Sequence, residues 1–508
     1  MKKLYTIVSL MLSSLSIMAT DFKDCSMAIK SNISTNIEKN NTTVFINGNT
    51  FSINGLKYDN TDLGNVELTN LQVINGYSDG TMVYATSEPQ YITIGGEKVA
   101  ANFRGEVRNS KFRGILNLTV NGSNYIAMIG DKADELGQLP NAGFEEFHTA
   151  TVTIKDLLAP SGTFKSDEPN SWHSFQSATG SKKQYVGSSI DTYKEDNDKR
   201  TGSTDKRCVK IQSSIVKVVG IEKPANGTMT TGRLYAGSTS ATNKANNSTM
   251  DFADKDKDGK GDPFYPIFTT KPDAMTVWVK FKGNVKEHPY ATVKAILAND
   301  RVQDPEKDDY TKNVIARAAN ALIESNNFAW QKLNIPFEYA NKNTPKGMLV
   351  TISTNAEAGK ASSDKKNLDV IYVDDIAMIY NSGLKSAQYK NTNLSFADNK
   401  AAIEIEGKAT EADFSIASDG EGAYISKVLK NNEGETGKST LYITITSNDL
   451  QKSNCFEVAI TDKTATGISN IKSDSNATSS TLYNLAGQQV SNSYKGIIIK
   501  NGKKYINK

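Results

Sequence analysis

The chain has 508 residues, enough for three or four separate cores, and carries 59 Lys and Arg against 56 Asp and Glu. Its formal charge of +3, two of it from Lys2 and Lys3, excludes electrostatic steering toward nucleic acid or an anionic membrane surface. Three widely spaced cysteines, Cys25, Cys208 and Cys455, exclude a disulfide framework, so apolar burial must supply the stability.

Lys2 and Lys3, the apolar run from Leu4 to Met18 and the small residue Ala19 have the layout of an export signal over residues 1–19. The run stops at Asp21, too soon to cross a bilayer as a mature helix, which predicts a chain at the cell surface or secreted, without membrane insertion. From 21 to 135 short alternating strands follow one another, among them Thr43-Val-Phe-Ile46, Val66 to Ile74 and Leu116-Asn-Leu-Thr-Val120. Asn47-Gly48, Asn75-Gly76 and Asn121-Gly122 read as hairpin turns between them. Hairpins without helices predict an up-and-down meander closed as a small barrel. Phe103-Arg-Gly-Glu-Val107, Phe112 to Val120 and Tyr125-Ile-Ala-Met-Ile-Gly130 resemble the calycin-like domain at the start of many exported proteins of Bacteroidetes type. Gly76-Tyr-Ser-Asp-Gly80 has the spacing of a nucleophile elbow but joins two strands, and so reads as a loop.

From 139 to 382 the pattern is eight or so strands joined by long polar loops, which predicts a two-sheet jelly-roll sandwich. Asn313 to Ser325 reads either as a helix or as a strand plus loop. Leu139-Pro-Asn-Ala-Gly-Phe-Glu-Glu-Phe-His148 opens the region and Val370-Ile-Tyr-Val-Asp-Asp-Ile376 closes it. Together with Pro169 to Gly180, Asn226 to Gly237, Trp278-Val-Lys-Phe281 and Pro336-Phe-Glu-Tyr339, these motifs resemble the family named "putative carbohydrate metabolism domain", over roughly half the chain. The resemblance implies a jelly roll with a part in glycan metabolism.

A third β segment, 383–463, alternates in Ala401 to Glu406, Leu441 to Ile445 and Phe456 to Ile460, as an immunoglobulin-like sandwich does. A Ser/Asn/Thr-rich linker follows over 464–480. The last residues, 481–508, are similar to a type IX secretion sorting tail through Tyr483-Asn-Leu-Ala-Gly487 and Gly496 to Lys503, which implies contact with secretion machinery. The predicted class is all-β throughout.

First and last strands of a sandwich are neighbours, so Glu145, Glu146, Asp374 and Asp375 are expected to meet. Oxygen ligands from both ends suit a structural calcium, and the alternative is that these acids cap turns or pair with Lys and Arg. Asp254, Asp256, Asp258 and Gly259 repeat the first half of a calcium loop with Asp262 at the ninth position, but Tyr265 stands where the bidentate Glu belongs. Sugar binding asks for aromatic faces among polar groups, which selects Trp172 and His173 in a polar loop and Arg233 and Tyr235 on a strand. The leading expectation is a protein that binds or processes glycans outside the cell. One alternative is a glycoside hydrolase using a carboxylate pair, and another is a non-catalytic surface scaffold or adhesin.

Overall fold

The computed structural model describes residues 20–59, 61–200, 202–258, 260–465, 481–500 and 503–507. The expected export signal and nearly all of the expected linker fall outside these residues, as does Gly259. The described chain is built almost wholly of antiparallel strands.

Ten strands form the first sheet, in which Thr20–Ser31 pairs with Ser123–Ile129, bringing first and last strands together, and Glu97–Arg108 pairs with both Met82–Ala85 and Gln90–Ile94. Asn121 and Gly122, at φ 47° and 80°, make the tight turn between Lys111–Val120 and Ser123–Ile129. The end strand Thr61–Leu68 comes round to Gln90–Ile94, since a Cβ on Gly64 would lie 3.5 Å from Ile94 Cγ2. Aromatic rings fill the enclosed space: Phe51 stacks on Phe103 at 3.9 Å between centroids, with Phe112 a further 6.4 Å from each. Asn75-Gly76 does not make a hairpin turn, because residues 75–81 form a longer loop that leaves the sheet to dock on the next unit.

The central unit is a sandwich of two five-stranded sheets. One runs Thr192–Glu195, Cys208–Gln212, Val370–Ile379, Ala274–Lys282, Gln331–Pro336; the other runs Thr228–Thr230, Gly347–Ser353, Ala291–Ala298, Val314–Ile323, Glu338–Tyr339. Strict alternation places Met275, Val277, Val279 and Phe281 against Val293, Ala295, Leu297, Met348 and Val350 in one core. The 313–325 segment is a strand from Val314 to Ile323, paired with Ala291–Ala298. Thr292, Lys294, Thr351 and Ser353 alternate with these core residues and so lie on the opposite face of the second sheet.

A third unit has strands in a three-stranded and a four-stranded sheet, with Lys400–Ile405 parallel to Ser453–Asp462 and a core around Phe414, Leu441, Ile443 and Val458. Leu482–Asn484, Gln489–Val490, Gly496–Lys500 and Lys503–Asn507 form a separate four-stranded sheet.

Candidate functional site

The outer face of the second sheet is only half covered. Ile296 and Leu349 are capped by Met250, Phe252 and Tyr265. Beside them Thr292, Lys294, Thr351 and Ser353 floor a cleft of about 500 Å³, within the usual range of small-ligand sites. One wall is the Ser214–Val218 and Ile221–Ala225 hairpin, the other the Arg233–Ala236 and Asn246–Met250 pair. Tyr235 lines this cleft and is 42% exposed. Buried against the floor, Thr292 Oγ1, Thr351 Oγ1 and Asn226 Oδ1 have no hydrogen-bond partner within the protein. Each such group costs about 1–3 kcal/mol unless water or a ligand satisfies it. Lys182, Lys223 and Lys294 line the cleft against one acid, Asp304, which sits 3.4 Å from Lys294 Nζ.

The other residues expected to face a sugar lie elsewhere. Trp172 is fully buried: its ring packs on Phe144 at 5.2 Å and its Nε1 donates to Pro140 O at 3.2 Å, so it presents no face to a glycan. His173 is equally buried, its backbone bridged to Thr230. Arg233 reaches away from the cleft to Asp254 and Asp256 at 3.6 and 2.6 Å and lies over the Phe264 ring.

That last contact also breaks up the expected calcium loop, because its acids take different partners. Asp254 and Asp256 hold Arg233, Asp262 Oδ2 accepts from Ser171 N at 3.0 Å, and Asp258 turns inward. There Asp258 Oδ2 lies 3.3 Å from His148 Nε2 and 3.2 Å from His173 Nδ1. His148 belongs to the hairpin Phe147–Ile154 and Gly162–Pro169, whose register sets it directly opposite Glu168, with Nε2 3.8 Å from Glu168 Oε2. Sequence reasoning had no means of pairing His148 with Glu168, since that requires the hairpin register; the visible signal was two histidines flanking one polar motif.

The sandwich ends do meet, through Ile376 N donating to Ala142 O at 3.0 Å, but the four carboxylates do not share one point. Glu145 Oε1 accepts from the backbone of Lys206 and Arg207 at 2.9 and 3.3 Å, and Glu146 Oε2 accepts from Asn170 Nδ2 at 3.1 Å. Asp374 and Asp375 group instead with Asp205 around Arg200, whose Nε donates to Asp375 Oδ2 at 2.5 Å. Amide donors and one guanidinium thus satisfy separately what a single calcium was expected to join.

No family model matches the chain, and no curated protein matches it. Among solved structures the chain is similar to one described as the structural basis for the promiscuous specificity of carbohydrate-binding modules from the β-sandwich superfamily, at 11% identity over 61% of this chain and 96% of that one. The TM-score is 0.21, and a likeness of that size carries no argument.

Proposed function

We propose that this is an exported glycan-binding protein whose central sandwich holds an oligosaccharide in the cleft lined by Tyr235. The observation that carries the reading is a cleft of ligand size whose lining joins the exposed Tyr235 ring to the polar side chains of Thr292, Thr351 and Asn226. Sugar hydroxyls are both donors and acceptors and suit such a lining, while the pyranose C–H face stacks on an aromatic. Hydrolysis would need two carboxylates roughly 5–9 Å apart across the bound sugar. Asp304 is the one acid among the described residues lining the cleft, and Lys294 holds it, so binding is favoured over cleavage. Three lysines against that acid favour glycans bearing carboxylate or sulfate groups.

A glycan array probed with the full chain tests this. An acidic oligosaccharide is retained, and Tyr235→Ala and Thr292→Val each weaken it by about tenfold, or about 1.4 kcal/mol, without lowering the melting temperature. Retention by both variants at wild-type strength removes the cleft from the site.

A further inference from the structure

We propose that His148, Glu168 and Asp258 form a structural binding site for a divalent transition metal of the zinc class. The argument starts from hydrogen-bond direction. Asn170 Nδ2 donates to Glu146 Oε2 at 3.1 Å, which turns its Oδ1 toward His148 Nδ1 at 3.2 Å. His148 Nδ1 is therefore the protonated nitrogen, and Nε2 of the neutral ring presents a lone pair to Asp258 Oδ2 and Glu168 Oε2.

Both carboxylates are arranged in the same way. Glu168 Oε1 accepts from Ser174 N at 2.8 Å, Ser174 Oγ at 2.5 Å and Ser177 Oγ at 3.0 Å, while its Oε2 has no hydrogen-bond partner. Asp258 Oδ1 accepts from the amides of Lys260, Gly261 and Asp262 at 2.8, 3.0 and 3.2 Å, and its Oδ2 has none. Each acid is thus pinned by one oxygen and aims the other at the same point. His148 Nε2, Glu168 Oε2 and Asp258 Oδ2 lie within 4.8 Å of one another, and His173, next to Asp258 at 3.2 Å, stands outside that group. The side chains of Glu168, His173 and Asp258 are 0% exposed and that of His148 is 9% exposed. Lone pairs gathered in a dry space repel unless a cation lies between them.

Donor type selects the cation. Calcium and magnesium take shells of oxygen alone, whereas an imidazole beside two carboxylates suits zinc and its neighbours. Bonds of about 2.0–2.1 Å at tetrahedral angles set ligand atoms about 3.4 Å apart. The 3.3 Å between His148 and Asp258 lies close to that, and the 3.8 Å between His148 and Glu168 needs a small adjustment. Three protein ligands in a buried pocket make the metal a clamp. It ties the loop that carries Asp258 to the hairpin of Phe147–Ile154 and Gly162–Pro169. Asn170 orients His148 from outside the ligand set, and Glu146 orients Asn170.

The site is independent of the glycan reading, since metal content is measured without sugar. The full chain is stripped with chelator, exposed to micromolar Zn²⁺, desalted and analysed for metal and for melting temperature. One equivalent is retained and the melting temperature rises, while Ca²⁺ produces neither effect. Co²⁺ in place of Zn²⁺ gives the visible absorption of a tetrahedral centre. Glu168→Gln and His148→Ala fall below a tenth of an equivalent, and Asp256→Asn keeps the full amount. Should the ligand variants fail to fold, Asn170→Ala decides, with affinity weakened about 10–100-fold. Less than a tenth of an equivalent in the folded wild type, or full retention by Asn170→Ala, Glu168→Gln and His148→Ala, overturns the proposal.

Discussion

Trp172 shows how a single residue can be misjudged from its neighbours in sequence. It lies in Pro169-Asn-Ser-Trp-His-Ser174, a polar stretch that reads as an exposed loop. The loop is buried because much of its polar surface is satisfied inside: Ser174 by Glu168, Asn170 by Glu146 and His148, and the His173 backbone by Thr230. With those groups paired, nothing prevents the indole from completing the core next to Phe144. Trp172→Ala therefore opens a large cavity and is expected to cost about 3–5 kcal/mol of stability, read from denaturant unfolding of the full chain. A variant that keeps wild-type stability and loses glycan retention would instead put Trp172 in the binding site. Tyr235 was legible for the opposite reason: it alternates with the buried Leu234 and Ala236 on a strand, so its exposure follows from the two-residue period.

At the scale of the element, the closing strand Val370–Ile379 carries a feature that period alone does not give. Ile371 and Val373 face the core, and so do Ile376 and Met378, a change of phase within one strand. The pairing explains it. Thr276 lies opposite Ala377 and Trp278 opposite Asp374, so Asp375 and Ile376 together face Val277, with Asp375 at φ 45°. This β-bulge takes up the extra residue and leaves Asp374 and Asp375 side by side outside the core. The Asp-Asp doublet interrupting an apolar alternation was the sequence signal, but Arg200 and Asp205, the partners it finds, come from a distant loop that no local pattern places there. Burial, then the neighbouring Asp375 and Asp205, push the Asp374 carboxyl from its ordinary 3.8 up to about 7. Between those values the folded chain holds a proton that the unfolded chain has released. The stabilisation is full below about pH 4 and is lost as pH rises through about 7. Asp374→Asn keeps the shape without the charge and is expected to flatten the fall in melting temperature between pH 5 and pH 8 by several degrees. An unchanged slope would place the titrating proton on another group.

Across the whole molecule the three β units are docked on one another. Arg104 Nη1 donates to Thr269 Oγ1 and O at 2.8 and 3.0 Å, Tyr424 Oη donates to Thr86 O at 3.0 Å, and Asp273 Oδ1 accepts from Glu421 N at 2.7 Å. The loop that looked like a nucleophile elbow is part of this assembly. Tyr77 packs on both Phe252 and Tyr265 at 5.5 and 6.0 Å, its hydroxyl donates to Lys346 O at 2.9 Å, and Ser78 Oγ donates to Asp254 O at 2.6 Å. These contacts cap the half of the second sheet that the cleft leaves alone, and through Asp254 they touch the loop that carries Asp258. The first unit thereby supports one wall of the central one. Removing the Tyr77 ring is expected to cost about 3–5 kcal/mol at that interface. If the units unfold together because they are docked, wild-type chain gives one calorimetric transition and Tyr77→Ala gives two, with the connector at residues 131–138 opened to limited proteolysis. A single transition within a degree of wild type in Tyr77→Ala would mean that the units fold separately and that the loop only rests on its neighbour.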